Sequence, residues 1–384
     1  MNKKKFLKKN LTIGLLLAFT VLILLCSYTL ENFPLLIFGL LVFSSIFFLT
    51  NLINKNVNLI ISSSLLSLFL VELILFLPNA AVIIKNEIKK KQNIHIKVLN
   101  NELGYQPKSG IQQHRIFHKD EELFNKFYSI NDDNYRDTPE INNYKKKNKI
   151  NFYGGSTVFG WGLSDNETLP YHLQKFFPYT KINNYSFSGY GIHQAYKQIT
   201  EQKIFADLNI LITFSNQIYR SSCKLRVSIG TPRYKLINNK ISQKGYCNNF
   251  FKNNSKIYLF IKNVLDKSQI KMLISKAYFK KLTFEEDDIN LYLNMIKEID
   301  LYLKSLDKKL IVGFERKFDD ESYVFIDQRI KNYLRENNIL YLDITLKNQD
   351  KYEIPVDGHP NNLANINRAQ TISKFIKNNN LFVE

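Results

Sequence analysis

The chain has 384 residues, 45% of them apolar, and carries 53 Lys and Arg against 34 Asp and Glu, a net charge of +19. Such a basic balance can signal nucleic acid, but no DNA- or RNA-binding motif is present and the basic residues gather on no single predicted helix. Nucleic acid is therefore excluded as the expected partner, and the length predicts two or three structural units.

Met1 to Asn10 holds five lysines, and Leu11–Thr29 then runs without a charge, long enough to span a bilayer. Two more apolar runs follow at 33–50 and 59–77. The first run lacks a small-residue cleavage site, so residues 1–78 are expected to form a membrane anchor of three transmembrane helices rather than a signal peptide. The basic tail and the loop Ser27–Asn32, free of Lys and Arg, predict a cytoplasmic N-terminus and an extracytoplasmic C-terminal domain. Lys55 fits that orientation, whereas Lys85, Lys89, Lys90 and Lys91 oppose it; large domains translocate with little regard to charge, and the exported orientation is kept. Glu72, inside the third run, is expected to face another helix or an interface.

Residues 79–147 are a polar connector with turn signals at Gln106-Pro107 and Ser109-Gly110 and a strand and turn near Phe127–Pro139. His114 and His118 have the spacing of a helical metal pair, but no third ligand sits nearby, so both are expected at the surface.

From 148 onward the pattern alternates. Ile150–Tyr153 is a short apolar strand ending at Gly154-Gly155-Ser156, with a helical pattern from about Glu167. A strand over Lys181–Phe187, a helix over Ile192–Phe205 and a strand over Leu208–Phe214 follow. An insertion, about 220–281, precedes a helix near Ile289–Leu306, a strand at Leu310–Phe314, a helix near Val324–Asn337, a strand at Ile339–Ile344 and a last helix near Asn362–Lys377. This predicts an α/β domain over 148–384: three layers, with five parallel strands in a doubly wound sheet. Within the insertion, Arg233–Ile241 has the pattern of a hairpin, which brings Cys223 and Cys247 near each other either as a disulfide or as two unrelated buried thiols. Trp161, Tyr219, Arg220 and Tyr234 are expected to serve packing and salt bridges rather than glycan binding.

Ser156 thus falls on a strand-to-helix turn at the carboxyl end of a strand, where open α/β sheets bind ligands. The turn is not a phosphate-binding loop, since no Gly-Lys-Ser/Thr ends it, nor a dinucleotide fingerprint, nor a G-x-S-x-G elbow, which would need glycine at Val158. Ser186–Gly191 follows the second strand, Ser215-Asn216-Gln217 the third, and Asp357-Gly358-His359-Pro360-Asn361 precedes the last helix. Gly189, Asn216 and the N–H of Ser156 are the candidate oxyanion donors. His359 is the candidate base for Ser156, with Asp357 holding the imidazole.

Gly154-Gly155-Ser156-Thr157 with Asp165–Pro170, Asn184–Gly191 and Asp357–Asn361 resembles the SGNH (GDSL-type) hydrolase superfamily over roughly 148–380, and Tyr128–Pro139 resembles the segment that precedes the domain in membrane-anchored bacterial members. The resemblance implies a flavodoxin-like sheet, a serine nucleophile whose own N–H joins the oxyanion hole, a histidine base, and ester or acyl-transfer chemistry with no metal or cofactor. Two positions depart from that pattern: D-x-x-H is here D-x-H, with Val356 ahead of Asp357, and the third block reads Phe214-Ser215-Asn216-Gln217 where Gly-x-Asn-Asp is usual. The expected function is a membrane-anchored serine esterase acting on acyl esters, acetyl foremost, of cell-envelope glycan or lipid, in a multi-pass protein of the bacterial cytoplasmic membrane. An O-acyltransferase on an envelope polysaccharide and a degenerate glycan-binding domain are the alternatives.

Overall fold

The computed structural model describes residues 96–118, 121–142, 148–238, 240–247, 283–316, 321–347 and 349–382, with Ser63 and Ser67. The chain divides into two units, Met1–Glu87 with Asn253–Thr283, and Ile88–Lys252 with Phe284–Glu384. The second unit holds every strand of the described residues. Apart from Ser63 and Ser67 in the third, the three expected membrane spans lie outside the described residues, and among the described residues no helix is long and apolar enough to cross a membrane.

Two antiparallel hairpins come first. Strand β1 (Lys97–Asn100) pairs with β2 (Gly104–Pro107), and β3 (Gly110–His118) with β4 (Glu121–Ile130). Gln106 and Pro107, expected to break the chain, instead pair with Val98 and Lys97; proline is tolerated at the end of an edge strand, where no ladder N–H is missed.

The domain proper runs β5 (Asn148–Tyr153), α1 (Ser156–Phe159), α2 (Leu169–Gln174), β6 (Thr180–Asn184), α3 (Ile192–Tyr196), β7 (Leu208–Thr213) and α4 (Gln217–Ser221). It continues with the hairpin β8 (Pro232–Ile237) and β9 (Lys240–Tyr246), then α5 (Glu286–Lys304), β10 (Lys309–Phe314), α6 (Glu321–Glu336), β11 (Tyr341–Asp343), α7 (Gln349–Tyr352) and α8 (Asn362–Asn378). Strands β6, β5, β7, β10 and β11 lie side by side in that order, all parallel. The first strand of the chain order is flanked by the second and the third, so the winding reverses beside β5 and opens a crevice at its carboxyl end.

Alternation along the strands explains the layers. Ile150, Phe152, Ile210 and Ile212 pack with Leu169 and Leu173 of α2 and Ala369, Ile372 and Ile376 of α8. Their neighbours Tyr153, Leu211, Val312 and Phe314 face the other way, onto Tyr292, Met295, Ile296 and Ile299 of α5 and Ile330 and Leu334 of α6. Period-two side-chain placement in strands buried on both faces requires this double core. One expected element is cut short: the helix from Ile192 stops at Tyr196 and passes into a π turn over Lys197–Glu201, closed by Lys203 with φ 60°.

The hairpins form a third layer of contact. Ile96, Leu103 and Tyr105 of the first, with Tyr128 and Ile130 of β4, pack on Phe159, Phe187 and Tyr190, the residues just beyond Ser156 and on either side of Gly189. The connector therefore belongs to the fold that carries the site.

Candidate active site

Ser156 opens α1 directly after β5, with Gly154 and Gly155 before it. Gly154 has φ 156°, and a Cβ there would lie 2.8 Å from Val158 Cγ2. Within the run 151–160 Ser156 is the one partly exposed residue. Gly160 closes the turn in left-handed conformation, its N–H donating to the Ser156 carbonyl at 3.0 Å.

The carbonyls at the end of this short turn need donors, and one buried side chain supplies them. Arg136 donates through Nη1 to the carbonyls of Phe159 and Gly160, both at 2.7 Å, through Nη2 to Leu163 at 2.6 Å, and through Nε to Asp165 Oδ1 at 2.8 Å. Nothing in the residue pattern around Tyr135-Arg136-Asp137 marks that arginine as buried.

The candidate base, His359, arrives from the other end of the chain. Ile354 accepts hydrogen bonds from the N–H groups of Asp357 and Gly358, and its own N–H donates to the His359 carbonyl at 2.7 Å, folding 354–359 into a tight turn. Val356 (φ 67°) and Gly358 (φ 76°) are left-handed within it. Asn361 then caps α8, accepting from the Ala364 N–H at 3.0 Å. The turn sets Asp357 Oδ1 2.5 Å from His359 Nδ1, and His359 Nε2 lies 2.9 Å from Ser156 Oγ. Burial alone would raise the Asp357 carboxyl, but the hydrogen bonds and charge of His359, with His114 nearby, hold it below the ordinary carboxylate range. An ionised carboxylate only accepts, so His359 carries its proton on Nδ1 and offers the Nε2 lone pair to the Ser156 hydroxyl.

The expected oxyanion donors lie on the loops that leave the strands flanking β5 and on the Ser156 turn itself. Gly189, with φ 86°, and Asn216, the residue before α4, are each partly exposed. Among the described residues the N–H groups of Ser156 and Gly189 and the side chain of Asn216 hydrogen-bond to no protein group. Asn216 does not cap α4 with its side chain, which leaves that amide free.

His114 corrects an expectation. It is buried, not at the surface: its Nδ1 shares a hydrogen bond with the Tyr128 hydroxyl at 2.5 Å, and its ring lies 4.1 Å from that of Trp161, whose ring is 6.0 Å from His359. Burial is the main cause that lowers its pKa to about 4, against the opposing charge of Asp357. The signal was strand alternation in β3, which turns His114 and Ile116 inward together; helical spacing was the wrong period.

Tyr219 stacks on Phe284 and Tyr234 is buried with its hydroxyl on Glu201, both as packing residues. Cys223 and Cys247 are joined as a disulfide with Cα atoms 5.4 Å apart, at the base of the β8–β9 hairpin. Among the described residues no group of three His, Cys, Asp or Glu side chains is placed to hold a metal ion.

No protein-family model and no curated protein matches this sequence. Among solved structures, the chain is similar to an acetyl xylan esterase from the rumen bacterium Butyrivibrio proteoclasticus, with 11% identity and a TM-score of 0.35 over 64% of this chain and 68% of that one. It is also similar to a catalytic variant of an acetylxylan esterase from Geobacillus stearothermophilus (13% identity, TM-score 0.34, 62% and 96% covered). A third is a member of the lipolytic G-D-S-L family from Veillonella parvula (13% identity, TM-score 0.33, 60% and 98% covered).

Proposed function

We propose that the protein is a serine esterase in which Ser156 attacks an acyl ester, His359 moves the proton and Asp357 fixes the imidazole. The observation that carries this reading is the hydrogen-bonded line Asp357–His359–Ser156, with an open serine hydroxyl at its end. As the Ser156 Oγ bonds to the acyl carbon, its proton passes to His359 Nε2 and the carbonyl π pair moves to oxygen. The N–H groups of Ser156 and Gly189 and the amide of Asn216 receive that oxyanion. Collapse breaks the ester C–O bond, and the leaving alkoxide takes the proton from His359. Water then repeats the sequence and releases the acid.

The reading extends to acetyl and related esters on envelope glycan or lipid, outside the cytoplasm, with the chain held to the membrane by its first 78 residues. The apolar runs and the Cys223–Cys247 disulfide support that placement. In intact cells a membrane-impermeant thiol reagent should label cysteine introduced as Leu99→Cys, an exposed position; labelling only after lysis would place the domain inside.

Hydrolysis of p-nitrophenyl acetate by the full chain tests the chemistry. Ser156→Ala and His359→Ala should each remove activity by at least about 10³-fold without changing the thermal unfolding midpoint. Activity that persists in Ser156→Ala refutes the assignment.

A further inference from the structure

Arg220 lies on α4, one turn after Asn216, so it follows the Ser215–Gln217 loop directly while touching the Ser156 turn and the Gly189 loop. Its Nη1 donates to the Tyr190 carbonyl at 2.7 Å, next to Gly189. The same nitrogen is packed on the nucleophile turn, where a Cβ on Gly155 would approach it to 2.9 Å; a Cβ on Gly191 would come as close to Arg220 Cβ. The glycines before Ser156 and after Tyr190 thus leave room for this side chain.

Within the fold the guanidinium meets the Tyr190 carbonyl and the ring of Phe214, whose centroid lies 5.3 Å from Cζ. Among the described residues it makes no ion pair, its enclosed Nε has no hydrogen-bond partner, and the residue keeps part of its surface open. The ionisable side chains it faces are Tyr105 and His193, and burial keeps both neutral. An enclosed guanidinium without a counter-charge is costly unless something negative completes it. Negative charge would arise on a substrate oxygen held at the N–H groups of Ser156 and Gly189, on the two loops that Arg220 touches.

On the esterase reading, we infer that Arg220 is a positioning and charge-supplying residue of the oxyanion pocket, clamping the Gly189 loop against the Ser156 turn and placing its positive charge beside the developing oxyanion. The step it assists is the attack on the ester: the Oγ–carbon bond forms, the π pair moves to oxygen, and the proton goes to His359. Arg220 gains and loses no proton.

Arg220→Gln, Arg220→Lys and the wild-type full chain separate the possibilities, each followed by p-nitrophenyl acetate hydrolysis and by the rate of labelling with a fluorophosphonate. Glutamine keeps a donor for the Tyr190 carbonyl but no charge; lysine keeps the charge but not the fork. Arg220→Gln should lower kcat about 10²-fold with KM changed by less than about threefold, and slow labelling in parallel, while Arg220→Lys retains most of kcat. Unchanged kcat in Arg220→Gln, a loss confined to KM, or an equal loss in Arg220→Lys overturns the charge role. Wild-type protein that neither hydrolyses nor labels overturns the esterase reading and this inference together. An active wild type with an indifferent Arg220→Gln overturns this inference alone.

Discussion

His359 Nε2 lies 2.9 Å from Ser156 Oγ although 203 positions separate the two residues. Ser156 is held at the end of β5, and His359 by the 354–359 turn and the cap of α8. Both elements are anchored in the same core, since Val158 and Ile372 pack in one cluster.

Asp357→Asn keeps the volume of the side chain and removes its charge. The amide can present its NH2 to Nδ1 and turn the imidazole to the wrong tautomer. The expected result is a fall in kcat of about 10²- to 10⁴-fold with near-normal KM, measured by steady-state hydrolysis. A fall of less than about tenfold would mean that Asp357 does not orient His359.

Arg136→Met removes the donor to three carbonyls and leaves Asp165 without its counter-charge, with the Ser129 N–H still donating to it. Breaking a buried ion pair from one side costs about 3 to 5 kcal/mol. Urea unfolding should show a loss of that size, or the variant should fail to fold. A loss under about 1 kcal/mol would show that water replaces the guanidinium at the end of α1.

Gly189→Ala should damage both fold and activity. Its φ is 86°, and the added Cβ would overlap Val227 Cγ2 and lie 2.5 Å from the Tyr105 hydroxyl. The expected cost is about 1 to 3 kcal/mol in unfolding free energy, with a lower kcat because the loop that offers the Gly189 N–H must shift. Retention of full kcat would remove Gly189 from the oxyanion pocket.

Stability should fall on the acid side of neutrality. Burial lowers His114 to about 4 and His193 to about 3, both from 6.5. The unfolded chain then binds more protons between these values and 6.5, so each histidine's stabilisation is whole above about pH 6.5 and is lost as pH falls toward 4 or 3, by up to about 1.4 kcal/mol per pH unit. Asp357, held low, contributes only in the range below its ordinary 3.8. Urea midpoints between pH 7 and pH 4 should show this slope, and His114→Phe should flatten it; a slope unchanged in that variant would show that His114 titrates normally.

Much of the fold and the site is legible in the sequence, and the reason is local. The buried stretches of β7 and β10 appear as the apolar runs Ile210–Ile212 and Leu310–Phe314, and β5 keeps Ile150, Phe152 and Tyr153 around a buried Asn151, while Gly154, Gly189 and the Asp357–Asn361 stretch announce turns by composition. What stays hidden depends on distant contacts. The burial of Arg136 follows from α1 being too short to satisfy its own carbonyls, and the isolation of Arg220 from the absence of acids around it. The inward face of His114 requires knowing that β3 is a strand. The helix from Ile192, expected to reach Phe205, instead changes to a π turn at Lys197, where Lys197 pairs with Glu201 and reaches Gln243 of β9; that contact lies outside any local periodicity.

The most direct measurement is mass-spectrometric mapping of the full chain after reaction with a fluorophosphonate, in which the Ser156 Oγ forms the bond to phosphorus and fluoride leaves. The adduct should sit on Ser156, vanish in Ser156→Ala and form at least about 10²-fold more slowly in His359→Ala. Absence of an adduct on Ser156, or equal labelling in Ser156→Ala, would contradict the serine mechanism.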